Sequence, residues 1–257
     1  MSTANMSFDP YSQNLTGLMA DGTTSLIINM QDLDYYLFYN AKVCINYGAQ
    51  LGASIVMFVV VLATTRENKR RSPLFFLNLL SLALSALRSL LQVLYYTDQW
   101  TEVYANFADD YSSITQSEHA TSVASVVIIA LFVLSIELSL LMQTQVVCIT
   151  LAKKRRLAVM VISYVVASLA IIFRTILMIG NAICIMKNES FDWTWALDGA
   201  LITETVSVWY FCLVFIIKLG ITIVKRKKMG LKQFGPMQII CIMGGCTMVI
   251  PCKYYVT

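Results

Sequence analysis

Six long apolar runs constrain the fold of this chain more than any other feature. Polar connections separate the runs, which lie at about 43–64, 74–96, 121–149, 157–185, 199–224 and 237–257. Each run has the roughly 20 residues that an α-helix needs, at about 1.5 Å per residue, to cross a hydrocarbon core of about 30 Å. Hydrophobic residues make up 58% of the chain and charged residues only 13%. The sequence therefore predicts an all-α fold, a polytopic transmembrane helix bundle.

Charged residues are segregated between alternate connections. Most of the 19 lysines and arginines form three short clusters, at 66–71, 153–156 and 225–232. Acidic residues instead fill the N-terminal tail, at 1–42, and the connections that face the other side. Because short loops rich in Lys and Arg stay in the cytoplasm, this pattern predicts an extracellular N-terminus and tail.

Three N-glycosylation sequons agree with this orientation. They begin at Asn5, Asn14 and Asn188, all on the side that the charge pattern predicts to be extracellular. Asn-x-Ser/Thr is the acceptor sequence for N-linked glycans on secreted or extracellular segments. We therefore expect a glycoprotein that carries its glycans in the tail and in the connection before the fifth run.

The chain carries no recognisable catalytic or metal-binding motif. His119 is the only histidine, and no Ser or Cys lies at a defined catalytic spacing from it. The seven cysteines show no zinc-type spacing. The basic clusters lie beside apolar helices, where they face membrane lipid rather than nucleic acid. The sequence predicts neither an enzyme nor a metal or cofactor.

Five charged residues lie within the first five runs, where burial in hydrocarbon is costly; four are described here and the fifth, Glu137, below. Arg88 lies in the outer half of the second run. Arg174 and Glu204 lie at similar depths near the outer ends of the fourth and fifth runs. We expect these two to pair or to line a ligand-binding pocket; the alternative is that each snorkels separately to the outer interface. Lys218, near the inner end of the fifth run, is expected to snorkel.

Glu137 lies in the part of the third run nearer the cytoplasm, among other polar residues. Side chains three and four positions apart are neighbours on a helix surface, so this spacing predicts a polar stripe inside the bundle. The neighbouring polar residues are Ser135, Ser139, Gln143 and Gln145.

A GxxxG motif, Gly48 with Gly52, lies in the first run. Two glycines four residues apart let a second helix backbone approach closely. Packing within the chain and pairing of two chains both satisfy this motif, and the sequence leaves the two open.

Several segments carry a family resemblance. The most specific is Met229-Gly230-Leu231-Lys232-Gln233-Phe234, which precedes the sixth run. The other segments are Phe8-Asp9-Pro10-Tyr11, Gly48 with Gly52, Pro73-x-Phe75-Phe76-Leu77-Asn78-x-x-Ser81, Ser135-Ile136-Glu137-x-Ser139-Leu140 with Gln143, and Val249-Ile250-Pro251. From about Val43 to Pro251 the chain resembles the fungal α-factor-type pheromone receptors, the class D G-protein-coupled receptors.

The resemblance implies a multi-pass receptor of the plasma membrane that binds a secreted peptide pheromone and activates a heterotrimeric G protein. It implies a ligand contact at Asp198, beside the candidates Arg88, Arg174 and Glu204, and a dimer contact at Gly48 and Gly52. It ties the receptor's state to Gln143, Lys218, Leu219 and Pro251, with Pro251 as a kink. It ties G-protein engagement to Lys225, Arg226, Lys227, Lys228 and Lys232.

The family would continue beyond Pro251 with a seventh span and a cytoplasmic tail. We therefore expect six of the family's seven spans to be present in this sequence. The last six residues, Cys252 to Thr257, begin with Cys-Lys-Tyr, a tripeptide that the DNA sequence TGTAAGTAT can encode. This stretch contains a 5′ splice-site consensus, so we expect the ending to be translated intron or the product of a mis-predicted gene model. Sequencing the cDNA tests this expectation.

Two other functions remain open at the level of sequence. One is a six-span transporter or channel that uses Arg88, Glu137, Arg174 and Glu204, although no internal repeat supports it. The other is a truncated, non-signalling receptor isoform that interferes with a full-length receptor.

Overall fold

The computed structural model of the protein describes residues 9–149, 152–187 and 193–228. Five of its helices are long and apolar enough to cross a membrane. These are α1 (Met30–Thr64), α3 (Pro73–Tyr95), α5 (Gln116–Cys148), α6 (Lys153–Lys187) and α7 (Thr194–Lys228). The predicted helix bundle is confirmed for these five runs, and the run at 237–257 lies outside the described residues.

Shorter elements lie between and before the long helices. A turn of 3-10 helix, Pro10–Ser12, precedes a hairpin of two antiparallel strands, β1 (Asn14–Leu18) and β2 (Ser25–Asn29). The helix α2 (Glu67–Arg70) connects α1 with α3, and a second 3-10 turn (Gln99–Thr101) and α4 (Val103–Ala108) lie between α3 and α5. The chain as a whole divides into two compact units.

The first unit comprises residues up to 65, 82–129 and 182–190. Its helix α1 begins at Met30, well before the predicted start of the apolar run at 43. The side chain of Asn29 accepts a hydrogen bond from the Gln31 N–H at 2.9 Å, and Asp32 lies in the first turn. Such a cap and a first-turn acid stabilise a helix N-terminus, so part of the polar tail is helical.

The connection between α3 and α5 has local structure of its own. Glu118 accepts a hydrogen bond from the Thr115 N–H at 2.9 Å, as in a capping box, and this contact sets the start of α5 at Gln116. The Tyr36 hydroxyl donates to the Thr101 carbonyl at 3.1 Å, which joins the connection to α1. This connection is therefore held by hydrogen bonds within it and to α1.

The second unit comprises residues 66–81, 130–181 and those from 191 onward. Small residues of α6 are buried in it, among them Ser163, Ala167 and Ala170. Ala167 packs with Leu141 of α5 and Phe211 of α7. Close contact through small side chains is the usual basis of helix association in membranes, where lipid is as apolar as the helices.

Large apolar side chains lie on the outer faces of the long helices. Ile45 is 72% exposed and Leu157 is 67% exposed. A soluble protein rarely exposes apolar surface on this scale, whereas lipid tails cover it in a membrane. The exposure therefore supports transmembrane helices.

Candidate functional site

An ion pair joins α6 and α7 within the second unit. The Arg174 Nη1 atom lies 3.3 Å from the Glu204 Oε1 atom. The two side chains are 17% and 24% exposed, so water or a ligand can reach both. The predicted pairing of these residues is confirmed, and the alternative of two independent snorkelling side chains is wrong.

Glu137 lies deeper in the same unit, between α5 and α7. It is 2% exposed, and Ser207 Oγ donates a hydrogen bond to its Oε2 atom at 2.8 Å. Buried polar groups in hydrocarbon need such partners, because no water satisfies them. Glu137 therefore holds α5 and α7 together through one polar contact.

The predicted polar stripe of α5 is confirmed, and it reaches α3. Ser139 Oγ donates to Asn78 Oδ1 at 2.6 Å, and Gln143 Nε2 donates to Ser139 Oγ at 3.1 Å. One turn away, the hydroxyls of Ser135 and Ser81 lie 3.1 Å apart. The stripe thus sets which face of α5 contacts α3.

Gln145 belongs to a different contact. Its Nε2 atom donates to the Tyr164 hydroxyl of α6 at 2.6 Å. On the neighbouring turns the Tyr210 hydroxyl of α7 donates to the Val159 carbonyl at 3.1 Å and lies 3.2 Å from Ser163 Oγ. Sequence reasoning missed Ser207, Ser163 and Tyr210, because serine and tyrosine are frequent in membrane spans and carry no charge to signal a role.

Arg88 belongs to the first unit and Asp198 to the second. Arg88, in the first unit, places its guanidinium carbon 5.9 Å from the centre of the Tyr47 ring, a cation–π distance. Asp198 is exposed near the start of α7. Of the three predicted ligand residues in the second unit, Arg174 and Glu204 form an ion pair.

The remaining predicted residues fall in several places. Lys218 and Leu219 are half-buried in α7, and Lys225, Arg226, Lys227 and Lys228 form its last turn. Asn14 is exposed on β1. The predictions for Asn5, Asn188, Lys232 and Pro251 concern positions outside the described residues.

The two glycines of the GxxxG motif lie on an open face of α1. A Cβ atom built on Gly48 or Gly52 meets no described atom within 4 Å. The packed face of α1 lies elsewhere, at Ser54, whose hydroxyl is 2.9 Å from that of Ser85. Within the described part of the chain, the motif therefore packs against nothing.

Three titratable groups in the connection between α3 and α5 have shifted pKa values, two raised and one lowered. Burial and the neighbouring Glu118 carboxylate raise the pKa of Asp98. Hydrogen bonds from Ser112 lower the pKa of Asp110. Burial and the Asp109 carboxylate raise the pKa of the Tyr111 hydroxyl.

In the described residues, no three His, Cys, Asp or Glu side chains lie close enough together to hold a metal ion.

The family described as "Fungal pheromone mating factor STE2 GPCR" matches residues 8–256. The pheromone alpha factor receptor of Lachancea kluyveri is 27% identical over 95% of this chain, and that of Saccharomyces cerevisiae is 25% identical over 97%. The pheromone P-factor receptor of Schizosaccharomyces pombe is 21% identical over 80% of this chain. The matches cover 57%, 58% and 61% of those three receptors.

The chain thus spans somewhat more than half the length of the curated relatives it matches. The matched family consists of multi-pass receptors of the plasma membrane and is not a class of enzymes. Its match extends over nearly all 257 residues, including the five long apolar helices. The chain belongs to the family of fungal mating-pheromone receptors.

Proposed function

We propose that this chain is a receptor for a secreted peptide mating pheromone and that it signals to a heterotrimeric G protein. The observation that carries the proposal is the family match over residues 8–256, together with relatives that are named receptors for the alpha factor and the P-factor. The family match also favours a receptor over a six-span transporter or channel.

The pheromone binds, in this proposal, on the side where residues 1–42 form the extracellular tail. Arg174 and Glu204 are its main charged contacts, because their ion pair is partly exposed and a charged group of the peptide competes with it. Arg88 and Asp198 are further contacts. The acidic tail and connections attract a cationic peptide and raise its association rate more than its affinity.

The signal leaves through the cytoplasmic end of α7. Lys225, Arg226, Lys227 and Lys228 form the last turn of that helix, and Lys232 follows. The helix that carries Glu204 and Ser207 therefore continues directly to the proposed G-protein contact. The resting and the active receptor differ in the positions of their helices. The residues that stabilise one arrangement or the other, in this proposal, are Glu137, Gln143, Lys218, Leu219 and Pro251.

Dose–response curves test the ligand contact. The chain is expressed in yeast that lacks its own receptor and carries a pheromone-responsive reporter, and the synthetic pheromone of the source organism is added. Arg174→Ala is expected to shift the curve to about tenfold higher concentration, the equivalent of about 1.4 kcal/mol. A lack of any response in the unaltered chain contradicts the proposed function.

Two variants separate ligand binding from folding. Lys187→Ala removes an exposed cation from the same helix, and it is expected to leave the curve unchanged. The double charge swap Arg174→Glu with Glu204→Arg preserves the pair but reverses its direction. Normal surface expression with an impaired response supports a ligand contact, whereas a normal response assigns the pair a structural role alone.

We also propose that two copies of the chain pair through the open face of α1. Gly48→Leu with Gly52→Leu adds bulk where a second backbone approaches, so resonance energy transfer between labelled copies is expected to fall. Gln50→Leu, on another exposed face of the helix, is the control. Equal transfer in both variants contradicts pairing through this face.

Membrane lipid covers the remaining exposed apolar surface.

A further inference from the structure

One end of the second unit carries a dense group of positive charges. The contacts between α3 and α5, between α5 and α6 and between α6 and α7 pair residues of opposite order, so these neighbouring helices run antiparallel. The starts of α3 and α6 and the ends of α5 and α7 therefore lie together at this end. The exposed charged residues described there are one acid, Glu67, and the cations Arg66, Arg70, Arg71, Lys153, Lys154, Arg155 and Arg156.

The four cations of α6 follow one another without a break, from Lys153 to Arg156. Among the described residues, none of the four forms an ion pair. Adjacent cations repel one another, and at the start of a helix they also oppose the positive end of its dipole. An anion bound beside them weakens both effects, so this end of α6 favours an anionic partner.

The helix α6 has a packed face and an opposite, exposed face. Buried residues mark the packed face; they are Ser163, Ala167 and Ala170. Large apolar side chains that are 54–67% exposed mark the opposite face; they are Leu157, Val161 and Val165. We call these three side chains the lipid stripe, because lipid tails cover such a surface in a membrane.

The cations of α6 differ in their position relative to the lipid stripe. At 3.6 residues per turn, Lys154 lies in line with the stripe, and Lys153 and Arg155 flank it on either side. Arg156 lies in line with the packed face instead. Three of the four cations thus surround one end of the stripe, and the fourth does not.

We propose that the lipid stripe and the cations around its end bind an anionic phospholipid of the membrane. An acyl chain lies along Leu157, Val161 and Val165, and the headgroup phosphate contacts Lys153, Lys154 and Arg155. Lys154 precedes Leu157 by three residues, or about 4.5 Å along the helix, which is where hydrocarbon gives way to headgroups. Long basic side chains extend from apolar surface to this boundary, and their hydrogen bonds to phosphate are charge-assisted.

This inference goes beyond the proposed function, because a lipid binds whether or not a pheromone is present. The charge pattern predicts that the start of α6 faces the cytoplasm, and the cytoplasmic leaflet carries anionic lipids such as phosphatidylserine. A bound headgroup holds the start of α6 at the membrane surface. Failure of the chain to respond to pheromone leaves this inference intact.

Native mass spectrometry of the full chain in a non-ionic detergent tests the site. Phosphatidylserine and phosphatidylcholine with the same acyl chains are titrated in turn, and the apparent Kd of the first bound lipid is measured. Phosphatidylserine is expected to bind at least about tenfold more tightly, because each Lys or Arg beside an anionic headgroup contributes about fivefold.

Substitutions of single cations test where the headgroup lies. Lys154→Gln is expected to weaken phosphatidylserine binding about fivefold, whereas Lys154→Arg keeps the cation and the affinity. Arg156→Gln removes the same charge from the packed side and is the matched control, with an expected change below about twofold because solvent ions screen the more distant charge. Phosphatidylcholine binding is expected to stay the same in all three variants.

Two further substitutions keep the test available if thermal unfolding in the same detergent shows that Lys154→Gln does not fold. Lys153→Gln and Arg155→Gln, made separately, are each expected to weaken phosphatidylserine binding more than Arg156→Gln does. Equal affinities for the two lipids overturn the proposal. Losses in Arg156→Gln as large as those in the other variants also overturn it, because they indicate attraction by net charge alone.

The headgroup without its acyl chains, glycerophosphoserine, tests the role of the lipid stripe. It is not expected to displace phosphatidylserine at the same concentration. Displacement shows that charge alone is recognised, as an acidic protein surface would be, and it overturns the assignment of this site to a lipid.

Discussion

At the scale of single residues, Gly199 shows how closely α6 and α7 approach each other. A Cβ atom at this position would lie 2.6 Å from Cε1 of Phe173. The same ring packs against a buried cluster that contains Leu177, Ala196 and Ala200. Only a residue without a side chain therefore permits this separation of the two helices.

Gly199→Ala is expected to destabilise the protein by about 1–3 kcal/mol, because the aromatic ring must move out of a packed cluster. Gly220→Ala in the same helix is the matched control, since a Cβ atom there meets nothing within 4 Å. The control is expected to be neutral or stabilising, as alanine favours a helix by about 0.5–1 kcal/mol over glycine. Thermal unfolding in detergent measures both.

Adding Phe173→Leu to Gly199→Ala makes room for the new methyl group and is expected to recover part of the loss. A double-mutant cycle gives the coupling between the two positions. Strictly additive effects, or equal losses at Gly199 and Gly220, contradict the close approach.

A second prediction at this scale concerns Ser207. Ser207→Ala removes the hydrogen bond to Glu137 and leaves a buried carboxyl group without that donor, so we expect a loss of about 1–3 kcal/mol in the free energy of unfolding. Ser168→Ala is the control, because that serine is exposed and bonds only to the Val165 carbonyl of its own helix. Equal effects of the two substitutions on the unfolding temperature speak against the contact between α5 and α7.

At the scale of elements, the hairpin before α1 depends on its turn. Asp21 accepts hydrogen bonds from the N–H groups of Thr23 and Thr24, at 3.0 and 2.9 Å, and from the Thr24 hydroxyl. Gly22 supplies the positive φ of 67° that the turn requires. These contacts set the register in which Asn14 pairs with Asn29, the residue that caps α1.

The hydrogen bonds from Thr24 and Thr23 hold the pKa of Asp21 well below its usual range. A lowered pKa in the folded state means that the carboxylate stabilises the turn above the usual aspartate pKa of about 3.9. This contribution is lost as the pH falls through the folded value. We expect the amide resonances of Thr23 and Thr24 to stay unchanged in mild acid and to shift only in stronger acid.

Asp21→Asn is the control for this titration, because its amide oxygen still accepts hydrogen bonds but carries no charge. Its Thr23 and Thr24 resonances are expected not to titrate. A titration of the unaltered turn near pH 4 contradicts the lowered pKa.

At the scale of the whole molecule, the charge pattern predicts how the helices are oriented across the membrane. Lys153, Lys154, Arg155 and Arg156 are all exposed in the first turn of α6, where cations oppose the positive end of the helix dipole. Local helix stability does not explain a basic cluster at that position. Retention of the cluster on the cytoplasmic side would explain the cluster, and such retention predicts that the hairpin lies outside the cell.

The glycosylation state tests this orientation. Asn14 is exposed on β1, so an extracellular tail is expected to carry a glycan there. Asn14→Gln is expected to increase gel mobility in the same way as endoglycosidase treatment. Thr16→Ser preserves the sequon and is expected to leave the mobility unchanged. A protein whose mobility responds neither to Asn14→Gln nor to the enzyme contradicts the prediction for this site.

Sequence reasoning found the Arg174–Glu204 pair because two charges at one depth on consecutive helices have few other partners in hydrocarbon. It found Glu137 for the same reason, but not Ser207, which lies 70 residues away in sequence.

The sequence by itself determined that the chain forms long apolar helices and which charges lie within them, and it predicted the direction in which each helix crosses the membrane. Hydrophobicity, charge and helix spacing are properties of short stretches, and a bilayer selects on them one segment at a time. Only the tertiary structure decided that Ser207 contacts Glu137, that Phe173 excludes a side chain at Gly199 and that Ser139 contacts Asn78. Such pairings depend on the rotation and depth of each helix against its neighbours, which are set by packing between distant segments.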